Sequence, residues 1–187
     1  MRRRCLGEPL PAKPLDIWLA GSAPAGLRRV GRLGDGWLGS LLTPAEAGEA
    51  VAVIKAAADE AGLRRIGRLA DGWLGSLLTP AEARAAIGVI NAAAGQAARE
   101  VEQDHFGISL PVAFGGIPDA LAASIRRRRA DADPASLIAD GWAGARDLIS
   151  AFVDAGLTKF VIRPAATPGS FEGFIDGFAS NLMPLQT

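Results

Sequence analysis

"GLRRVGRLGDGWLGSLLTPAEA", residues 26–47, returns at residues 62–83 as "GLRRIGRLADGWLGSLLTPAEA". Only two of the 22 paired positions differ, Val30 against Ile66 and Gly34 against Ala70. Each copy carries a basic helical stretch, an Asp-Gly-Trp turn, a short apolar connection and a Thr-Pro-Ala-Glu helix start. In that start the Thr43 or Thr79 hydroxyl can accept from an early backbone N–H while Glu46 or Glu82 reaches back. Pro44 and Pro80 fall where a missing donor costs nothing. The first long helix is expected to run to about Glu60, with Val51, Ile54 and Ala58 inward. The second is expected to run to about Gln103, with Ile87, Ile90 and Ala94 inward.

Two architectures compete for this pattern. A helical solenoid stacks such units, but it needs matching only at the stacked faces and at least three copies. Here the surface matches as well: Arg28 with Arg64, Arg29 with Arg65, Arg32 with Arg68, Ser40 with Ser76. Identity that ignores burial points to copied sequence within another fold, so residues 26–61 and 62–97 read as two copies of one helical unit. A strand precedes the first copy and none precedes the second, so the copy is expected to add no strand.

Outward from the repeat, Leu15 to Ala20, LDIWLA, is a short apolar run of strand length ended by Gly21-Ser22. Such runs suit a parallel strand covered on both faces. Ser22 can cap the next helix, with Pro24 in its first turn. FGISLPVAF, residues 106–114, reads as extended, with Pro111 arguing for an edge or irregular strand. Helices are expected from Ile117-Pro118-Asp119 through the arginines, over 143–155 and over 170–182. KFVIR, residues 159–163, reads as a buried strand. This alternation indicates an α/β fold with a parallel sheet.

Composition narrows the function. Of 187 residues 49% are hydrophobic, and twenty Lys and Arg cancel twenty Asp and Glu. The neutral balance removes the simplest electrostatic argument for a nucleic acid or membrane partner. Arg126 to Arg129 lie on different sides of a helix, close to Asp131 and Asp133, and are expected to form a solvated helix end. The single cysteine, Cys5, builds no internal disulfide framework and fits a cytoplasmic chain. Residues 1–13 are expected to be irregular, with no signal peptide, and no run is long enough to span a membrane. The lone His105 belongs to no metal-site pattern, and a capping or surface role is expected of it, so no metal is expected.

The strand Leu15–Ala20, Gly21-Ser22, LRRVGRLGDGW from Leu27 to Trp37, DLISAFVDAGLTKFVIRPA from Asp147 to Ala165, and NLMPLQT from Asn181 resemble the luciferase-like monooxygenase family. The similarity is to its branch of coenzyme F420-dependent oxidoreductases and covers nearly the whole chain except the second copy and the basic start. It implies one partial luciferase-like domain over 1–187, the carboxyl-terminal portion of a TIM (β/α)₈ barrel with a duplicated helical segment. LDIWLA would be the family's seventh strand and KFVIR its last, with six strands lacking. About 250 residues are typical of a whole barrel. The implied activity is hydride transfer between the deazaflavin coenzyme F420 and a small organic substrate, inactive if the fragment stands alone. The alternatives are FMN-dependent monooxygenation, or a non-catalytic helical interaction module or remnant that self-associates; the enzyme reading is completed by a missing amino-terminal part.

Site residues follow from strand ends, since barrel enzymes build their mouths there. Gly21 would let a ligand approach the backbone and Ser22 would donate to it; a turn and helix cap explain the same pair. Arg163 would bind a coenzyme phosphate or carboxylate, or an anionic substrate group; a salt bridge to a helix is the plain alternative. Asp35-Gly36-Trp37 and Asp71-Gly72-Trp73 read chiefly as braced turns, Trp37 being the better candidate to line a mouth. No residue is assigned a catalytic step.

Overall fold

The computed structural model describes residues 17–40 and 42–186. The expectations for residues 1–13, including Cys5, lie outside the described residues. The chain divides into two compact units, the first ending at Gly62 and the second beginning at Leu63.

In the first unit β1 (Trp18–Ala20) is followed by α1 (Pro24–Leu33), β2 (Gly36–Leu38) and the start of α2 (Pro44–Leu69). β1 and β2 are parallel, with Trp18 opposite Gly36 and Ala20 opposite Leu38. The helices meet at Gly31, where a Cβ would strike the Ile54 carbonyl oxygen and lie 2.9 Å from the Ala57 Cβ. Leu27, Val30, Ala50 and Ala57 are buried.

The second unit repeats that contact. A Cβ at Gly67 would strike the Ile90 carbonyl oxygen and lie 3.0 Å from the Ala93 Cβ. It continues through β3 (Trp73–Ser76), α3 (Pro80–Gln96), β4 (Phe106–Ala113), α4 (Asp119–Arg128), β5 (Ala139–Asp140), α5 (Gly141–Asp154), β6 (Lys159–Pro164) and α6 (Phe171–Asn181). β4 pairs in parallel with β3, β5 and β6. Phe106, Ile108, Leu110 and Val112 alternate onto one face and join Ala83, Ile90, Ala94, Ala145, Ile149 and Phe152 in the main core. The α3 start forms the expected capping box, Thr79 accepting from the Glu82 N–H while the Glu82 side chain returns to the Thr79 N–H.

The fold is therefore mixed α/β with parallel sheets that do not close among the described residues. Several local expectations are corrected. The copied unit carries a strand: β2 begins at the glycine of the first Asp-Gly-Trp and β3 at the tryptophan of the second. Three or four apolar residues show no alternation, and pairing to a distant strand defines them. α2 does not stop at Glu60 but crosses the junction between copies. No proline intervenes, and Gly62 costs a helix only about 1 kcal/mol relative to alanine. α3 ends at Gln96, short of Gln103. Ser22 does not cap α1; Ala23 holds the cap position without a side-chain bond.

Pro111 is central, not at an edge. The Phe106 and Val112 carbonyls accept from Thr158 and Ala165, so the even-numbered backbone groups of β4 face β6. The Pro111 nitrogen then faces the other edge. That edge is occupied by β3 up to Ser109 and by β5 from Val112, and Pro111 falls in the gap between them. Its missing N–H removes no ladder bond.

Candidate functional site

The face of β4 opposite the core carries Gly107, Ser109 and Pro111, since side chains alternate along a strand. In register with them lie Leu74 and Ser76 of β3, and Lys159, Val161 and Arg163 of β6. Leu74 is 57% exposed and Val161 49% exposed, so much of this face is open. Arg163 is half-buried and its Nε donates to Ser109 Oγ at 3.1 Å, tying β6 to β4. No carboxylate pairs with Arg163 among the described residues, and the helix salt bridge offered as its plain role is absent there.

Beyond the carboxyl ends of β4 and β6 opens a cavity of about 410 Å³. Its walls include Phe114, Trp142, Phe174 and the 164–170 connection. The three rings form one cluster. Phe114 meets Trp142 edge-on at 5.0 Å, Trp142 lies 5.1 Å from Phe174, and Phe114 lies 6.2 Å from Phe174. Gly177 makes room for this on α6, since a Cβ there would come within 2.6 Å of the Trp142 Nε1. Ser170 caps α6, its Oγ accepting from the Gly173 N–H at 3.0 Å. Gly115 and Gly116, at φ +77° and +108°, turn the chain away after β4.

The cavity therefore offers an apolar, aromatic seat, and Arg163 lies one residue before the Pro164 of its wall. Volumes of about 300–1,000 Å³ are usual for small-molecule sites. The fused rings of a deazaflavin or flavin fit such a seat chemically, by stacking and apolar contact. An anionic tail would have to leave the cavity; Arg163 does not line it, and its side chain projects to the other face of β6, onto Ser109.

The proposed residues Gly21 and Ser22 lie in the first unit and Arg163 in the second, so neither unit holds all three. Gly21 has φ +138°, and its carbonyl accepts from Trp37 Nε1 at 2.9 Å. Trp37 thus braces the chain after β1. Asp35 braces it too, accepting from the Ile17 N–H at 2.8 Å. In the second copy Asp71 instead pairs with Arg99 at 2.9 Å, while its carbonyl lies 2.7 Å from His105 Nδ1. His105 does have carboxylates beside it: Glu102, Asp104 and His105 bring ligand atoms within 4.8 Å of one another. Asp104 also faces Lys159 at 3.6 Å, which makes the group a surface charge network.

Arg129 departs from the solvated helix end expected of it. It donates to the Leu77 carbonyl at 2.7 Å and pairs with Glu82 at 2.5 Å and Asp131 at 3.0 Å. Hydrogen bonding to Asp131, then to Glu82, raises its pKa against partial burial. Partial burial pushes the Glu82 carboxyl up, but Thr79 and Arg129 outweigh this and hold it below its ordinary 4.5.

The aromatic seat escaped sequence reading. Phe114, Trp142 and Phe174 are far apart in the chain, and each resembles an ordinary core residue. The one available signal was position, since Phe114 follows a strand end and Phe174 lies in the first turn of a helix after another.

The chain is thus of the mixed α/β class, with a candidate site at the carboxyl ends of parallel strands. No family model matches it, and no curated protein matches it. Among solved structures, it is similar to the coenzyme F420 dependent tetrahydromethanopterin reductase from Methanopyrus kandleri, at 13% identity and a TM-score of 0.42. That match covers 92% of this chain and 51% of the reductase. It is also similar to an F420-dependent secondary alcohol dehydrogenase in complex with an F420-acetone adduct, at 11% identity and a TM-score of 0.42. This match covers 95% of the chain and 51% of the dehydrogenase. The chain spans about half the length of both, and likenesses of this degree carry no functional argument. Among the described residues no helix is long and apolar enough to cross a membrane.

Proposed function

We propose that the chain binds the ring system of a deazaflavin coenzyme at the carboxyl ends of β4 and β6 and belongs to an oxidoreductase acting on a small organic substrate. The observation that carries this is the 410 Å³ cavity walled by Phe114, Trp142 and Phe174. The sequence resemblance from Pro14 to Trp37 and from Asp147 to Ala165 names the coenzyme class. Arg163 takes the anionic part of the coenzyme or substrate, and the aromatic residues hold the rings and exclude water. The bound coenzyme supplies the hydride chemistry; the protein supplies pocket and orientation. Gly21 and Ser22 remain proposed contacts of the coenzyme in the assembled enzyme.

Titration of the purified chain with F420, followed by coenzyme fluorescence, tests this. Saturable binding is expected, weakened about tenfold or more by Trp142→Ala, since a lost aromatic contact and its buried area amount to more than 1.4 kcal/mol. Binding of FMN in place of F420 would assign the neighbouring monooxygenase chemistry. Unaltered fluorescence with a folded protein would remove the coenzyme reading for this chain.

A second reading has its own observation. The open face with Leu74 and Val161 suits association with another protein surface. A non-catalytic interaction module would bind neither coenzyme and would self-associate in light scattering.

A further inference from the structure

The duplicated segment gives the chain two equivalent strand–helix pairs and one place to seat them. In the structure β3 and α3 occupy the seat beside β4: β3 supplies the ladder from Trp73↔Phe106 to Ser76↔Ser109, and α3 supplies core side chains. Every residue of α3 that is buried there has an identical counterpart 36 positions earlier. Ala83, Ala86, Ile90, Ala93 and Ala94 correspond to Ala47, Ala50, Ile54, Ala57 and Ala58. The strand residues WLGS at 73–76 correspond to WLGS at 37–40. Glu82, the partner of Arg129, corresponds to Glu46. Thr43 and Glu46 make the same reciprocal hydrogen bonds as Thr79 and Glu82. The Gly31 contact with Ile54 and Ala57 repeats the Gly67 contact with Ile90 and Ala93.

Three side chains distinguish the copies in their contacts here. Arg84 donates to the Asp154 carbonyl at 2.6 Å, and its counterpart is Gly48. Ile66 and Ile87 pack against the main core, and their counterparts Val30 and Val51 are each one methylene smaller. All three favour the second copy. Another feature favours the first. β2 is already paired with β1, so seating β2 on β4 would join β1, β2, β4 and β6 into one continuous parallel sheet.

We propose that the two copies exchange at one seat. In a second state of the same chain, β2 and the first-copy part of α2 pack on β4, and residues 62–97 leave as a looped-out helical insert. The exchange requires α2, which runs unbroken through Ala61 in the structure, to end near Glu60 as α3 ends at Gln96; the chain then leads through the insert back to residue 98. A two-state element of this kind arises when two packings of one sequence differ little in free energy.

The test uses the full chain with Cys5→Ala, Ser40→Cys, Ser76→Cys and Ser109→Cys. Ser76 and Ser109 are direct neighbours across parallel strands, a spacing that suits a disulfide, and Ser40 is the counterpart of Ser76. Mild oxidation followed by peptide mass analysis of the monomer should yield both the 76–109 and the 40–109 links. Arg84→Ala should raise the ratio of 40–109 to 76–109 about three- to tenfold, the worth of one exposed hydrogen bond. Independently of any disulfide, deletion of residues 62–97 should leave a cooperatively unfolding protein with the first copy seated. The exchange is overturned if the 40–109 link is absent from monomers in both backgrounds, or appears only between chains. It is equally overturned if the 62–97 deletion fails to fold.

Discussion

At the residue scale, two glycines of the same helix pair should respond oppositely to alanine. Inside a helix the substitution is worth about 0.5–1 kcal/mol in stability when nothing opposes it. Gly88 has nothing within 4 Å of a built Cβ, so Gly88→Ala should raise the urea midpoint. Gly67 faces backbone of α3, where the collision should cost about 1–3 kcal/mol and outweigh the propensity gain. Gly67→Ala should lower the midpoint, and a rise would show that the α2–α3 contact is looser than described. Glu82 adds a pH signature. Its folded pKa lies below the ordinary 4.5, so its contribution is fully present above that value and disappears as pH falls through the folded pKa. Between those two values the wild type should lose stability more steeply than Glu82→Gln. Equal slopes in acid unfolding curves would remove Glu82 from the acid response.

At the element scale, the duplication is a strand–helix unit, and this changes what its removal does. Deleting residues 26–61, one full period, leaves the second copy seated on β4 and brings residues up to Ala25 directly before Gly62. β1 then precedes a helix and a strand identical in pattern to those it now serves. Thermal unfolding of that deletion should be at least as cooperative as that of the full chain, with no loss of midpoint. A large loss would mean that the first copy supplies packing the second cannot replace. Pro111 teaches a related lesson. A proline excludes a residue from one ladder, and the gap between β3 and β5 is visible only when three strands are placed around β4.

At the scale of the whole molecule, the core is distributed unevenly. The first unit buries Leu27, Val30, Ala50 and Ala57, whereas the second contains the main core around β4 and a smaller cluster around Ile125 and Ile138. Regions with few buried apolar contacts open at lower free energy. Amide hydrogen exchange should therefore be slowest at Ile108, Leu110 and Val112, and faster by about two orders of magnitude or more in β1 and β2, if their opening free energies differ by about 3 kcal/mol. Equal protection throughout would indicate that the units open as one. The exposed face of β3, β4 and β6 makes a separate prediction. Val161→Ser should reduce concentration-dependent association in light scattering if that face seeks a partner, and should leave it unchanged if the face lines a ligand site alone.

The sequence by itself determined the copied period, the helix starts at Thr43 and Thr79, a strand at KFVIR and the α/β class; the burial read for that strand is corrected, since Lys159 and Val161 are exposed. These rest on local chemistry: a hydroxyl and a carboxylate three residues apart, a proline at the first helical position, and a short apolar run. Arg163 was likewise legible as a strand-end cation. Tertiary structure decided which short runs are strands, because β2 and β3 exist by virtue of the neighbours they pair with. It also decided the central place of Pro111, the partners of Arg129, and the gathering of Phe114, Trp142 and Phe174. These depend on segments well separated in the chain, 18 residues for β1 with β2 and 33 for β3 with β4, and no local pattern encodes such a meeting. The near-identity of the copies leaves one choice open even then: which of two equal segments takes the seat beside β4, with Arg84 and one methylene each of Ile66 and Ile87 weighing against a continuous sheet.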